Sequence, residues 1–108
     1  MIEINYYENN GKYGIKATGH AYYDEPGRDI VCAGVCVLLQ SLGMYLDANP
    51  YCFKILENKH KAGDINIEVE LYDLENQVVP NLFYMTISGL EAISNTYPNN
   101  VKVTENIN

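Results

Sequence analysis

The chain has 108 residues, of which 47% are hydrophobic, and this is enough to build one core without a disulfide or metal staple. Its formal net charge of −7 disfavours nucleic acids and anionic membranes as direct partners, because both bind clusters of Lys and Arg. The three cysteines are an odd number, and the acidic, alternating N-terminal segment is not a signal-peptide pattern. We therefore expect one domain over residues 1–108 with free thiols, located in the cytoplasm, and no apolar run of membrane-spanning length.

A β-hairpin is predicted at the start of the chain. Residues 2–7 alternate between apolar and polar side chains, which is the period of a half-buried strand. The segment N-N-G at residues 9–11 follows, and Asn and Gly tolerate the positive φ of a tight turn. The alternation resumes at residues 13–17, which predicts the second strand.

A loop and a long helix follow this hairpin. Residues 19–29 contain turn-forming residues without periodicity, so they predict a loop. Asp29 is a suitable N-cap, and apolar residues then recur at spacings of three and four. These features predict a helix that begins at Ile30 and continues to about Asp47, before the break at Pro50.

The remainder of the chain predicts two strands, a second helix and a last strand, over residues 52–58, 65–71, 79–97 and 101–103. A turn at residues 61–64 separates the two strands, and Pro80 lies in or near the first turn of the helix. The order is therefore β-β-α-β-β-α-β. It favours an α+β two-layer sandwich, with two helices packed on a mixed, antiparallel-rich sheet.

Cys32 is the third residue of the predicted first helix. Backbone N–H groups are unpaired there and the helix dipole is positive, so a thiolate is favoured and an oxyanion could bind the same groups. His20 lies twelve residues earlier, and an imidazole can take the thiol proton and return it to a leaving amine. The pair predicts a cysteine nucleophile with His20 as general base. The residues alone also allow Cys32 to be a core side chain and His20 a surface one.

The segment G-H-A at residues 19–21, followed by D-I-V-C-A at residues 29–33, resembles the signature of the ribosomal-processing cysteine protease (Prp) family. The resemblance extends over essentially the whole chain. It implies a small α+β fold, a homodimer, and His20 and Cys32 as the catalytic pair. It also implies a peptide substrate, which is a short N-terminal extension of a large-subunit ribosomal protein or, for phage relatives, a capsid or scaffold protein.

Two of the predicted substrate-binding residues, Gly19 and Asp29, lie at the ends of the loop. Gly19 and Gly27 would let the loop move, and we expect it to be mobile when empty and to close over a bound peptide. Asp29 is favoured as the N-cap of the helix. The alternative is that Asp29 or Asp24 orients His20.

Cys36, the third predicted substrate-binding residue, stands where the family usually carries Ser. One helical turn separates it from Cys32, so we expect the two to share a face, with Cys36 either lining the pocket or only filling space. Tyr22 and Tyr23 flank the predicted site as apolar subsites or as packing contacts.

Two other functions are alternatives. His20, Cys32, Cys36 and His60 could form a metal site, although C-x-x-x-C on a helix is unlike the usual zinc knuckle. The chain could also be a non-catalytic module that binds a peptide or a ribosomal surface. We favour a cysteine endopeptidase that needs neither a metal nor a cofactor.

Overall fold

The computed structural model describes residues 1–106 and places five strands and two helices in the order β-β-α-β-β-α-β. The strands are β1 (Ile2–Asn9), β2 (Lys12–Thr18), β3 (Phe53–Lys61), β4 (Asp64–Leu71) and β5 (Val101–Glu105). The helices are α1 (Ile30–Ala48) and α2 (Val78–Thr96). The order predicted from the sequence is confirmed.

The five strands form one mixed sheet in the spatial order β3-β4-β2-β1-β5. The pairs β1–β2, β2–β4 and β3–β4 are antiparallel, and β1 and β5 are parallel. The parallel pair arises because α2 carries the chain from β4 across to the far side of β1, and parallel neighbours need such a crossover. The predicted α+β class with an antiparallel-rich sheet is thus confirmed.

The core lies between the sheet and the two helices, which contact each other. Strand β4 contributes to this core most regularly, since every second side chain is buried where successive residues point to opposite faces of a sheet. In β4 the buried set is Ile65, Ile67, Val69 and Leu71. The helices contribute stripes at helical spacing that include Val35 and Leu39 from α1 and Phe83 and Leu90 from α2.

Helix α1 is long and apolar enough to cross a membrane by length and composition alone, with a mean hydropathy of 1.7 over its most apolar window. The expectation that no apolar run reaches that length is therefore wrong for Ile30–Ala48. In this fold the helix buries one stripe in the common core, whereas Ile30, Val37 and Met44 of the same helix are exposed. The stripe consists of Val31, Val35, Leu39, Leu42 and Leu46.

Strand β3 is longer than predicted, because it continues to Lys61 and includes His60. Only Ala62 and Gly63 then connect it to β4. The register shifts between Ile55 and Glu57, where a β-bulge interrupts the alternation. Residues 57–61 are all polar, so they show no apolar alternation that would extend the predicted strand to Lys61.

The register between β2 and β4 positions the loop that carries His20. Thr18, the last residue of β2, pairs with Asp64, the first residue of β4. The β3–β4 turn therefore lies beside the residues that follow β2. The Gly19 N–H donates a hydrogen bond to the Gly63 carbonyl at 3.0 Å and fastens the start of the loop to that turn.

Candidate active site

Asp29 caps helix α1, as predicted. Its Oδ1 accepts a hydrogen bond from the Cys32 N–H at 2.9 Å. Its Oδ2 accepts from the N–H groups of Tyr23 and Asp24, at 3.0 and 3.4 Å. One carboxylate therefore joins the first turn of the helix to the loop that precedes it.

The charge on Asp29 is stabilised by these donors. Burial alone would raise its pKa, but the backbone N–H groups of Cys32, Tyr23, Asp24 and Val31 outweigh burial and hold the pKa below its ordinary value of 3.8. Because the pKa is lowered in the folded state, the charge contributes stability that is present above the unfolded value. That stability is lost as the pH falls through the lower folded value.

Neither of the two carboxylates proposed for orienting His20 does so here. Asp29 is engaged by the backbone, and Asp24 Oδ1 accepts from the Glu25 N–H at 2.7 Å. Over residues 1–106 no side chain hydrogen-bonds to the His20 imidazole. The described part of the chain thus provides a pair of groups rather than a triad.

The expectation that the helix start offers free N–H groups to an oxyanion is wrong for two of them. The Cys32 N–H donates to the Asp29 carboxylate at 2.9 Å, and the Ala33 N–H donates to the Asp29 carbonyl at 3.0 Å. An oxyanion beside Cys32 therefore requires another donor, or requires Asp29 to release the Cys32 N–H.

Cys32 and His20 line the same open cleft, which has a volume of about 690 Å³ and lies between the loop and the start of α1. Asp29 and Cys36, two of the predicted substrate-binding residues, line it as well. Much of the rest is small or apolar, from Ala21, Tyr22, Pro26, Ile30, Ala33 and Ala62. The cleft has the size of a pocket that binds a small ligand or a few residues of a peptide.

Two glycines leave room for His20 and for the backbone that precedes it. Gly19 has a φ of +93°, and a Cβ on it would lie 2.5 Å from the Met1 carbonyl oxygen. A Cβ on Gly63 would lie 2.8 Å from His20 Nε2, so this glycine makes room for the imidazole. Gly19 therefore shapes the backbone before the histidine, and it lines a smaller cavity behind the main cleft rather than the cleft itself.

The two loop tyrosines have different surroundings. Tyr22 is 77% exposed, has a φ of +53°, and its ring centroid lies 5.9 Å from that of His20. A left-handed backbone is unfavourable for a bulky residue, and such conformations are concentrated at functional sites. Tyr23 instead packs edge-on against Tyr97 at 5.0 Å, so it is a packing contact.

Sequence reasoning missed Asn100, which holds the loop from the far side. Its Nδ2 donates to the carbonyl of Ala21, the residue after His20, at 2.9 Å. Asn100 is brought there by the pairing of β5 with β1, and its own carbonyl accepts from the Ile2 N–H at 2.9 Å. Only the strand order, which local patterns do not encode, could have identified it.

Cys36 faces the same space as Cys32. Both thiols are half-buried, and both line the main cleft and the smaller cavity behind it. Burial raises the pKa of the Cys36 thiol, and its charge interaction with Cys32 raises it further. Cys36 is therefore a protonated thiol at neutral pH.

The four-residue metal site is not assembled. His60 Nε2 lies 2.7 Å from Asn58 Oδ1, and Asn58 Nδ2 donates to the Gly43 carbonyl in the middle of α1 at 3.0 Å. His60 is thus absent from the lining of the cleft that contains His20 and Cys32. Within residues 1–106, no three His, Cys, Asp or Glu side chains are placed to share a metal ion.

Comparisons with known proteins identify relatives of this chain. Residues 1–102 match the family model described as cysteine protease Prp. The ribosomal processing cysteine protease Prp of Mycoplasma genitalium is 32% identical over 105 residues, which are 97% of this chain and 96% of that protein.

Solved structures share the fold. The essential ribosomal processing protease Prp of S. aureus, in complex with a covalently linked product peptide, has a TM-score of 0.79 at 23% identity, and the match covers 98% of this chain and 100% of that one. A protein of Streptococcus mutans has a TM-score of 0.70 at 24% identity, covering 97% of this chain and 93% of that one. At these identities the likeness concerns the fold.

The Asp29 cap generates a prediction about stability. We expect Asp29→Ala to lower the free energy of unfolding by about 1 kcal/mol, because three backbone N–H groups lose their acceptor. Asp29→Asn keeps one acceptor oxygen, so its free energy of unfolding should fall by a smaller amount. Chemical denaturation at pH 7 measures both, with Asp47→Ala in the exposed last turn of α1 as the control. Equal stability of Asp29→Ala and the wild type would contradict the bridging role.

The packing of Gly63 on His20 generates a second prediction. Gly63 and Gly27 have similar φ values, +74° and +86°, so an alanine at either position is strained by roughly 1–2 kcal/mol. Only at Gly63 does the new Cβ meet His20, since nothing lies within 4 Å at Gly27. We expect Gly63→Ala alone to shift the His20 imidazole resonances in NMR spectra. Equal shifts in the two variants would show that the turn does not position the ring.

Proposed function

We propose that this chain, which belongs to the cysteine protease Prp family, hydrolyses a peptide bond with Cys32 as the nucleophile and His20 as the general base. The observation that carries the proposal is that these two groups line one open, largely apolar cleft. That cleft is large enough for a segment of extended peptide and leaves both groups accessible to it.

The reaction follows from the chemistry of the two groups. His20 takes the thiol proton, and the Cys32 Sγ attacks the carbonyl carbon of the scissile bond. The tetrahedral intermediate collapses as the imidazolium returns the proton to the leaving amine, which leaves a thioester on Cys32. Water, deprotonated by His20, then hydrolyses the thioester and releases the new carboxylate and the thiol.

Movement of the loop is part of this proposal. No hydrogen bond joins His20 to Cys32 within residues 1–106, and catalytic contacts often tighten only when substrate is bound. Residues 22–28 are exposed, whereas Ala21 is buried and fastened to Asn100. Closure of the exposed part over a peptide would hold the scissile bond beside the imidazole and the thiol.

For the substrate, we propose the N-terminal extension of a large-subunit ribosomal protein. The Mycoplasma genitalium relative is a ribosomal processing protease, and a net charge of −7 attracts a basic protein. Apolar side chains such as Tyr22 and Ile30 would receive apolar residues of the extension. A phage structural protein as substrate, the homodimer and the cytoplasmic location stay predictions from the sequence.

Substitution of the catalytic pair tests the reaction. With a peptide that spans the processing site of the host ribosomal protein, we expect Cys32→Ala to abolish cleavage. We expect His20→Ala to reduce the rate by roughly 10²–10⁴-fold, the usual contribution of a general base. Liquid chromatography with mass detection of the products measures both.

Matched controls come from the same chain. Cys52→Ala removes an exposed thiol outside the cleft, and His60→Ala removes the histidine on β3. Both should retain cleavage. If the intact protein binds the peptide without cutting it, the chain is instead the non-catalytic binding module, and fluorescence anisotropy with labelled peptide makes that distinction.

The Asn100 anchor is tested with the same assay. Asn100→Ala removes the donor to the Ala21 carbonyl. Because a small displacement of a catalytic group lowers the rate strongly, we expect kcat to fall by roughly tenfold to hundredfold. Asn100→Asp keeps the size of the side chain but removes the N–H donor, so its kcat should fall by a similar factor. Asn99→Ala, at the exposed neighbouring position, is the control. Full activity of Asn100→Asp would show that the hydrogen bond does not position His20.

A further inference from the structure

Cys32 and Cys36 form a pair of thiols, although the proposed peptide hydrolysis needs only one thiol. They lie one turn apart on α1, and both are half-buried and line the same two cavities. The proposed hydrolysis uses only the Cys32 sulfur and regenerates it as a free thiol. Cys52, the remaining cysteine, is exposed and lies outside these cavities, in the connection between α1 and β3.

Helix geometry brings the pair near bonding distance but not to it. Residues four apart on an α-helix have Cα atoms about 6 Å apart, which lies within the range of roughly 4.4–6.8 Å that a disulfide spans. Their Cβ atoms are about 5–6 Å apart, whereas a disulfide needs roughly 3.5–4.5 Å. A bond between Cys32 and Cys36 therefore requires the helix to relax locally.

The position of Cys32 allows that relaxation. It is the third residue of α1, and its N–H is bound by the Asp29 side chain rather than by a preceding helical turn. Unwinding the first turn breaks few hydrogen bonds and displaces one buried side chain, Val31, whereas the buried stripe from Val35 onward stays in place. A disulfide formed in this way is strained, and strained disulfides are readily reduced.

We propose that Cys36 is a resolving thiol, which traps the oxidised nucleophile as a reversible Cys32–Cys36 disulfide. The oxidant is a hydroperoxide. The Cys32 thiolate attacks its outer oxygen, the O–O bond breaks, and the products are the Cys32 sulfenic acid and water or an alcohol. The Cys36 sulfur then displaces the hydroxyl from the Cys32 sulfur, and the Cys36 proton leaves with that hydroxyl as water.

The consequence is protection of the active site. A sulfenic acid without a neighbouring thiol is oxidised further to sulfinic acid, which ordinary thiols cannot reduce. A strained disulfide returns to two thiols when a dithiol is added. The inference rests on the proposed function only in taking Cys32 to be the reactive thiol.

The experiment uses the Cys52→Ser protein, in which only the two cleft thiols remain. It is treated with hydrogen peroxide, alkylated and digested with trypsin. No Lys or Arg lies between Arg28 and Lys54, so both cysteines are recovered in the single peptide of residues 29–54. We expect this peptide to lose two hydrogens and to resist alkylation. In a Cys36→Ser version, the peptide should instead gain two or three oxygens at Cys32.

Recovery of activity is the second measurement. After peroxide and then dithiothreitol, we expect the protein with Cys36 to regain most of its own starting rate, and the Cys36→Ser version to regain about a tenth or less. Cys36→Ala is tested in parallel, and circular dichroism confirms that each variant is folded. Oxygen addition to Cys32 at the same rate with and without Cys36, a bond between two chains, or no oxidation would each overturn the inference.

The two proposals fail in different ways. If the disulfide forms but Cys32→Ala still cleaves peptide, the proposed nucleophile is wrong and the thiol pair stands. If Cys32→Ala abolishes cleavage but peroxide gives only sulfinic acid in the presence of Cys36, the nucleophile stands and the resolving role is wrong.

Discussion

The carboxylate of Asp29 is the constraint on which the site depends. Its two oxygens accept hydrogen bonds from the first turn of α1, through Cys32, and from the loop, through Tyr23 and Asp24. No other capping residue can do this equally well, because a Ser, Thr or Asn side chain offers one acceptor oxygen to donors on opposite sides. A single side chain thus joins the loop to the helix turn that carries the thiol, while Asn100 holds the loop at Ala21.

This constraint has a chemical consequence as well as a structural one. The Asp29 carboxylate occupies the Cys32 N–H, which is the backbone donor of the proposed nucleophile itself. A substrate oxyanion and the Asp29 carboxylate would compete for that donor. The N-cap that builds the site therefore also limits what the empty site can stabilise, and movement of the loop would relieve the competition.

Local chemistry was enough to predict part of this molecule. The start of α1 after Asp29, its end near Pro50 and the alternation of β4 each depend on neighbours along the chain, and the structure confirms them. The length of β3 was wrong because residues 57–61 are all polar and show no alternation, although their pairing with β4 continues to Lys61.

The parts of the site that the sequence did not predict are contacts between distant segments. Gly63 was recognised as part of a turn, but its contact with His20 depends on the β2–β4 register, and Asn100 reaches Ala21 only through the β1–β5 pairing. The shared cleft of His20 and Cys32 was predictable because the two residues are close in sequence and both belong to one loop–helix segment.

The hydrogen bond from Asn100 to the Ala21 carbonyl determines when, during synthesis of the chain, the site can be completed. Its two residues are 79 positions apart, and β5, which brings Asn100 into place, is the last described strand to leave the ribosome. His20 and Cys32 both precede that strand, so the histidine loop lacks its far support until β5 pairs with β1. Completion of the site therefore depends on one of the last parts of the chain to be synthesised, although the residues of the site lie in its first third.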